Sequence, residues 1–232
     1  MGEEVSRRSF LKRSAAACSG VSLLSMGVYH YGTSNSVSSS ASAAEEGESA
    51  GVRYGMVIDN IECVACGMCQ DACRDRHNLP EDENFIKLYE DFETGQEPNT
   101  KVEHFTAQCN HCENAPCARI CPTQATYLNE DGIMVMDATK CIGCKGCIAA
   151  CPYNARIWSE KAGIPEKCNF CDGFVQQGDE PACVQACPVN ARTFGDLNDE
   201  DSEVAQKVSE RNLSALRTEL GTRPKIYYVR QS

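Results

Sequence analysis

The residues best suited to chemistry in this sequence are cysteines, and their spacing says which chemistry. Cys141, Cys144, Cys147 and Cys151, followed by Pro152, make a C-x2-C-x2-C-x3-C-P run. Such a run wraps an iron–sulfur cubane: three closely spaced thiolates take three irons, and the fourth cysteine leaves on a new path to ligate a second cluster. Gly143 and Gly146 let the backbone curl close to the sulfurs. One run therefore implies a partner run, and the chain has four. Cys63, Cys66, Cys69 and Cys73 repeat the same spacing, with Arg74 in place of proline. Cys109, Cys112, Cys117 and Cys121 precede Pro122, with a wider second gap. Cys168, Cys171, Cys183 and Cys187 precede Pro188, with residues 172–182 inserted between the second and third.

Because the fourth cysteine crosses over, runs two and three, adjacent in sequence, are expected to exchange theirs. Cys109, Cys112, Cys117 and Cys151 would hold one cluster, and Cys141, Cys144, Cys147 and Cys121 another. Runs one and four then pair around them. Cys63, Cys66, Cys69 and Cys187 would hold a third cluster, and Cys168, Cys171, Cys183 and Cys73 the fourth. The expectation is four [4Fe–4S] clusters, with iron bound through these sixteen cysteines and none of them replaced. A zinc- or disulfide-held structural protein is the competing class. Zinc needs pairs of pairs and gains nothing from a third cysteine two residues on. Cysteines this close rarely meet the geometry for mutual bridging.

Other residues near the runs have weaker claims. His111 lies inside the second run; four thiolates already satisfy a cluster, so packing is expected of it rather than ligation or proton relay. Arg156 and Arg192 occupy equivalent places in Cys-Pro-Tyr-Asn-Ala-Arg and Cys-Pro-Val-Asn-Ala-Arg. They either tune clusters or meet a partner, or are plain surface arginines at strand starts. Trp158, the only tryptophan, is expected in the core or as a cluster shield.

These runs need elements to hold them. Arg53 to Asp59 reads as a strand delivering the first run, and the chain after Cys73 can stay helical through His77. Residues 80–107 contain two apolar-alternating segments, Phe85 to Tyr89 and Val102 to Phe105, around a turn-rich Glu93 to Pro98, which predicts a hairpin. A second hairpin is predicted from Ala125 to Met136 with its turn at Asn129 to Gly132. The repeated unit is three ligands, a helical turn with the fourth, proline, then a strand. The fold class is α+β: two nested bacterial-ferredoxin-like units of pseudo-twofold βαβ form, with a β-hairpin insertion and a C-terminal helix. The inner unit spans about 105–160; the outer comes from 52–80 and 161–196. A helix from Ser202 to Glu219 and a closing strand from Lys225 to Val229, available as an edge for a partner, fill 197–230.

The N-terminus bears on compartment. Ser6-Arg7-Arg8-Ser9-Phe10-Leu11-Lys12 reads as a twin-arginine export signal, with Ala41-Ser42-Ala43 as its cleavage pattern. Residues 1–43 are thus expected to be removed, Cys18 with them, and 44–51 to be a flexible lead. That route suits a protein exported folded with its cofactor, on the periplasmic side of the cytoplasmic membrane. The formal charge of −11 becomes −13 once the four basic and two acidic residues of 1–43 are lost. Such a surface argues against nucleic acid and anionic lipid as partners. After the signal no segment is apolar for the length of a membrane span. No nucleophile–base pair or nucleotide loop stands out, so a non-catalytic subunit is expected.

The four runs, with Tyr54-Gly55-Met56, Pro181-Ala182-Cys183-Val184 and Leu220-Gly221-Thr222-Arg223-Pro224-Lys225, resemble the four-cluster ferredoxin subunits of the complex iron–sulfur molybdoenzymes. These include the dimethyl sulfoxide, polysulfide and tetrathionate reductases. The chain is similar also to the iron–sulfur protein of the formate-dependent nitrite reductase pathway, and the likeness covers essentially all of 52–230. The resemblance implies an electron-transfer subunit of an exported anaerobic respiratory oxidoreductase. It would relay single electrons between a membrane quinol-interacting subunit and a catalytic subunit of molybdopterin type. The alternative within this class is a subunit feeding a multihaem nitrite reductase.

Overall fold

Short strands and shorter helices carry the cysteine runs in the computed structural model, which describes residues 51–94, 101–210 and 213–229. The segment expected to be an export signal, most of the expected acidic lead and most of the turn expected at Glu93 to Pro98 lie outside the described residues.

The central strand β1 (Tyr54–Asp59) is an unbroken apolar run at Met56, Val57 and Ile58, all buried. A strand apolar on both faces belongs inside a layered fold. Accordingly β1 lies between β8 (Arg192–Asp196), which it pairs antiparallel with Met56 opposite Phe194, and β10 (Ile226–Val229), which it pairs parallel with Met56 opposite Ile226. A short β9 (Ser214–Ala215) completes the sheet in the order β8-β1-β10-β9. The closing strand is therefore interior and not an edge. The available edge is covered by β9, which blunts it against pairing with another chain.

The two predicted hairpins form. β2 (Lys87–Thr94) pairs with β3 (Lys101–Ala107), and β4 (Thr126–Leu128) with β5 (Met134–Met136). A third, β6 (Ile157–Ser159) with β7 (Ile164–Glu166), follows run three. Among the described residues, helices are confined to the cysteine runs and the C-terminal region. α1 (Met68–His77) carries Cys69 and Cys73, and stops at Asn78 in the left-handed region. α2 (Pro116–Arg119), α3 (Gly146–Ala150), α4 (Asp172–Val175) and α5 (Ala182–Gln185) are single turns. α1 packs on α5, and α2 on α3, so the helix of run one meets that of run four and the helix of run two meets that of run three.

The C-terminal helix is shorter than predicted. α6 (Glu203–Glu210) lays Val204, fully buried, against Val57 and Val229. By Ser214 the chain is a strand on β10 and by Thr218 a single 3-10 turn, capped by left-handed Gly221. Leu213 and Leu216 still reach apolar clusters, but from strand and turn. An apolar spacing this short does not distinguish helix from strand, and sheet completion decided it.

Candidate metal centre

Each run begins with a C-x-x-C loop whose third residue has a positive φ. These are Ala65 (φ 53), His111 (φ 44), Gly143 (φ 67) and Phe170 (φ 54). Left-handed conformation is easy for Gly143 and costs an ordinary side chain about 1–2 kcal/mol. Three of the four loops hold it without glycine. A left-handed residue inside a turn directs successive N–H groups into one concavity, the nest geometry of many iron–sulfur sites. The repeat recurs downstream: Gln124, Asn154 and Asn190, each three residues after a Cys-Pro cysteine, are also left-handed (φ 54, 50 and 51).

Cavities and burial group the sulfurs across runs. Cys63, Cys66, Cys69 and Cys187 line one pocket. Cys121, Cys141, Cys144 and Cys147 line another. Burial, then Cys183 and Cys171, push the Cys73 thiol up to about 12. Burial with Cys73 and Cys183 drives Cys168 well above its ordinary value. Burial and Cys109 raise Cys112 to about 12, with Cys117 adding to the rise. Tyr153, raised to about 12 mainly by burial, feels both Cys112 and Cys151. Sulfurs of adjacent groups also interact: Cys183 with Cys69, Cys168 with Cys109, and Cys147 with Cys117. Cys66 and Cys144 are exposed.

The sixteen cysteines of the four runs are free thiols. Among the described residues no three His, Cys, Asp or Glu side chains converge tightly enough to hold a single ion. A cubane spreads its four thiolates around four irons, so a wider ring of cysteines suits it. Donor hydrogen bonds to sulfur are present as well, from Ala191 N to Cys187 Sγ (3.3 Å) and Phe170 N to Cys168 Sγ (3.5 Å).

Buried cations supply a test of fit. Arg156, Arg192, Lys167 and Lys225 are 4, 5, 7 and 1 % exposed. Among the described residues none of them forms an ion pair with a carboxylate. Lys167 Nζ donates to the carbonyls of Met134 and of Cys168 (2.9 Å), and Lys225 Nζ to that of Gly132. Burying charges without counterions costs several kcal/mol each. Anionic thiolate-bound iron–sulfur groups in the neighbouring cysteine rings would offset that cost, so the residues present fit the cofactor. Sequence reasoning left Arg156 and Arg192 open as surface arginines; both are buried. It passed over Lys167, although its position directly before Cys168 was a signal.

His111 is fully buried and stacks on Phe170 with ring centroids 3.6 Å apart. Its Nδ1 accepts from Met134 N (3.1 Å). Burial, with Lys167, Lys225 and Arg156 nearby, holds its pKa well below the ordinary value, so the ring is neutral. Trp158 packs beside the third run: Lys145 Nζ sits 3.9 Å from its ring centroid. The C-terminal segment braces run two through Lys225 N to Asn110 O (2.9 Å), Asn114 N to Thr222 O (3.1 Å) and Glu113 N to Arg223 O (3.0 Å).

Nested N–H loops, free thiols in wide rings and buried cations beside them define an iron–sulfur protein of ferredoxin type. A family profile described as a 4Fe-4S dicluster domain matches residues 100–197. The NrfC homolog of Haemophilus influenzae is 40% identical over 179 residues, spanning 76% of this chain and 80% of that protein. A putative dimethyl sulfoxide reductase iron-sulfur subunit of Halobacterium salinarum is 38% identical over 205 residues (76% and 78%). A polysulfide reductase chain of Wolinella succinogenes is 38% identical over 179 residues (76% and 94%). This protein belongs to the same family, the iron–sulfur electron-transfer subunits of reductase complexes, and its cofactors are [4Fe–4S] clusters.

Proposed function

We propose that the chain holds four [4Fe–4S] clusters in a line and carries electrons along it within an exported respiratory reductase. The ligand sets are those read from the crossed-over fourth cysteine: Cys63, Cys66, Cys69 with Cys187; Cys168, Cys171, Cys183 with Cys73; Cys109, Cys112, Cys117 with Cys151; and Cys141, Cys144, Cys147 with Cys121. The observation that carries this reading is the cavity where Cys187, from the last run, joins three cysteines of the first. The cavity joining Cys121 to run three supports it independently. Two nested ferredoxin-like units follow, an inner one over about 105–160 and an outer one from 52–80 and 161–196. The packing of α2 on α3 and of α1 on α5 supports that division.

Bound in these rings, each cluster supplies reversible one-electron exchange without a bond to substrate. The residues do the rest. Electrostatic interactions of Cys183 with Cys69, Cys168 with Cys109 and Cys147 with Cys117 support an order of the sets of Cys69, Cys183, Cys109 and Cys147. The two end sets are the ones with an exposed cysteine, Cys66 and Cys144. Exposed apolar side chains flank each: Ile61, Val64 and Met68 at one end, Ile120 and Ile142 at the other. Apolar rims at both ends suit docking of two different partners, which exclude water from the transfer path. The partners this reading assigns are a catalytic subunit, of molybdopterin or multihaem type, and a membrane quinol-interacting subunit. The described residues include no helix long and apolar enough to cross a membrane. The twin-arginine segment supports export to the periplasmic face.

The test is redox titration of the purified chain followed by EPR. Four one-electron centres support the reading, and fewer than four in a chain with intact cysteines overturn it.

A further inference from the structure

Arg156 and Arg192 stand at the same register of the internal repeat, five residues after Cys151 and Cys187. Neither points to solvent. Arg192 Nη1 donates to Gln108 Oε1 (2.8 Å) and lies 3.9 Å from Cys183 Sγ and 3.7 Å from Met56 Sδ; Nη2 is buried with no partner. Arg156 Nη2 donates to Thr126 Oγ1 (3.3 Å), and Nη1 lies 3.9 Å from Met136 Sδ. The neutral partners satisfy geometry but not charge.

The thiols that favour the charge of each guanidinium come from two ligand sets. Burial works against the Arg192 charge, but Cys183, Cys69, Tyr228 and Cys168 outweigh it. Burial opposes Arg156 likewise, and Cys117, Cys147 and Cys109 outweigh it. A buried lysine can shed its charge by losing a proton, whereas a guanidinium cannot. Each unit therefore keeps one permanent positive charge in the interior between its two cysteine rings.

Resting on the ligand grouping proposed above, we propose that Arg192 and Arg156 are a matched pair of potential-setting residues. Each is a fixed cation shared by the two clusters of its own unit. Adding one electron to either cluster raises its negative charge by one, and no bond forms or breaks. The adjacent guanidinium favours that reduced form and gives up no proton in the process. Both potentials of the unit rise together, while the other unit is left alone. Net charge near a cluster is one of the determinants of its potential.

The experiment is EPR-monitored redox titration, at pH 7 with dithionite as reductant, of the full cluster-loaded chain. Arg192→Gln, Arg192→Lys and Arg156→Gln are compared with wild type, with signals assigned through Cys187→Ser and Cys151→Ser. Arg192→Gln is expected to shift two signals negative by about a tenfold change in reduction equilibrium, 59 mV for one electron. Those two are the clusters of Cys69 and Cys183. Arg156→Gln shifts the complementary two, and Arg192→Lys lies nearer wild type than Arg192→Gln. A loaded Arg192→Gln with unmoved potentials overturns the proposal, as does an equal shift of all four, or a lysine variant no better than glutamine. Should Arg192→Gln lose iron, loading of Arg192→Lys supports the need for charge, and failure of both alike overturns it. A wild-type chain without four signals defeats the ligand grouping instead, before any variant is compared.

Discussion

At the scale of single residues, the sulfurs carry the most exposed claims. If Cys151 crosses over, Cys151→Ser should damage the cluster of Cys109, Cys112 and Cys117 and spare that of Cys141, Cys144 and Cys147. EPR that shows the reverse would reject the crossed assignment. Loading should also depend on pH, with a sign that follows from the thiols. Cys73 and Cys112, raised to about 12 chiefly by burial, keep their protons in the free chain across the neutral range. Bound to iron they have none. Binding therefore releases protons, and reconstitution with iron and sulfide should be more complete at pH 8.5 than at pH 6.5. Equal yields would mean the thiols are already ionised. Ala65, left-handed without being glycine, offers a gentler probe. Ala65→Gly should relieve ~1 kcal/mol of strain, seen as slower loss of cluster absorbance on heating.

At the scale of elements, the close contacts are between backbone and loop. An added Cβ at Gly55 in β1 would stand 2.4 Å from Leu197 Cδ1 and 2.9 Å from the Lys225 carbonyl oxygen. Leu197 can shift, but the Lys225 carbonyl already accepts from Met56 N (3.0 Å). Gly55→Ala should cost ~1–3 kcal/mol through overpacking, measured as faster thermal bleaching of the holoprotein with iron content initially unchanged. Elements with strong local signals were legible beforehand. The β4–β5 hairpin has Gly132 at φ 68 in its turn, and α1 grows directly out of the first run. The C-terminal region was not legible. Val204, Val208, Leu213, Leu216 and Leu220 share a helical spacing, yet only the first part is helix. Pairing of Ala215 with Tyr227 outweighed local periodicity there.

For the whole molecule, the cofactor count is the first check. Four cubanes require about sixteen irons and as many sulfides per chain; a markedly lower ratio in material with intact cysteines would remove the line of four. The two ends of that line are the other check. Ile142, 65 % exposed beside exposed Cys144, should matter for docking and not for folding. Ile142→Glu is expected to leave iron content and dye reduction unchanged. It should slow electron exchange in the assembled complex by about tenfold, the equivalent of ~1.4 kcal/mol of lost interface. Normal exchange would argue that this end faces solvent.

The amino-acid sequence by itself determined the chemistry, because ligand spacing along the chain is local. Thiolates with two residues between them, as in Cys141, Cys144 and Cys147, are placed to share one iron–sulfur group, whereas the fourth of a run, three residues further on, is placed to cross to another. Spacing also suggested which distant cysteines meet. It suggested the set of run three as an internal relay, whereas the order proposed above puts that set at an end with Cys144 exposed, because spacing does not report burial. It left open whether Arg156 and Arg192 lie on the surface or inside, and it assigned the final strand to an edge. Those features arise from long-range packing: β10 inserted beside β1, residues 222–225 braced against run two, and two guanidiniums closed in among sulfurs. Charge in a protein interior is decided by what surrounds it in space, and only the tertiary structure specifies that.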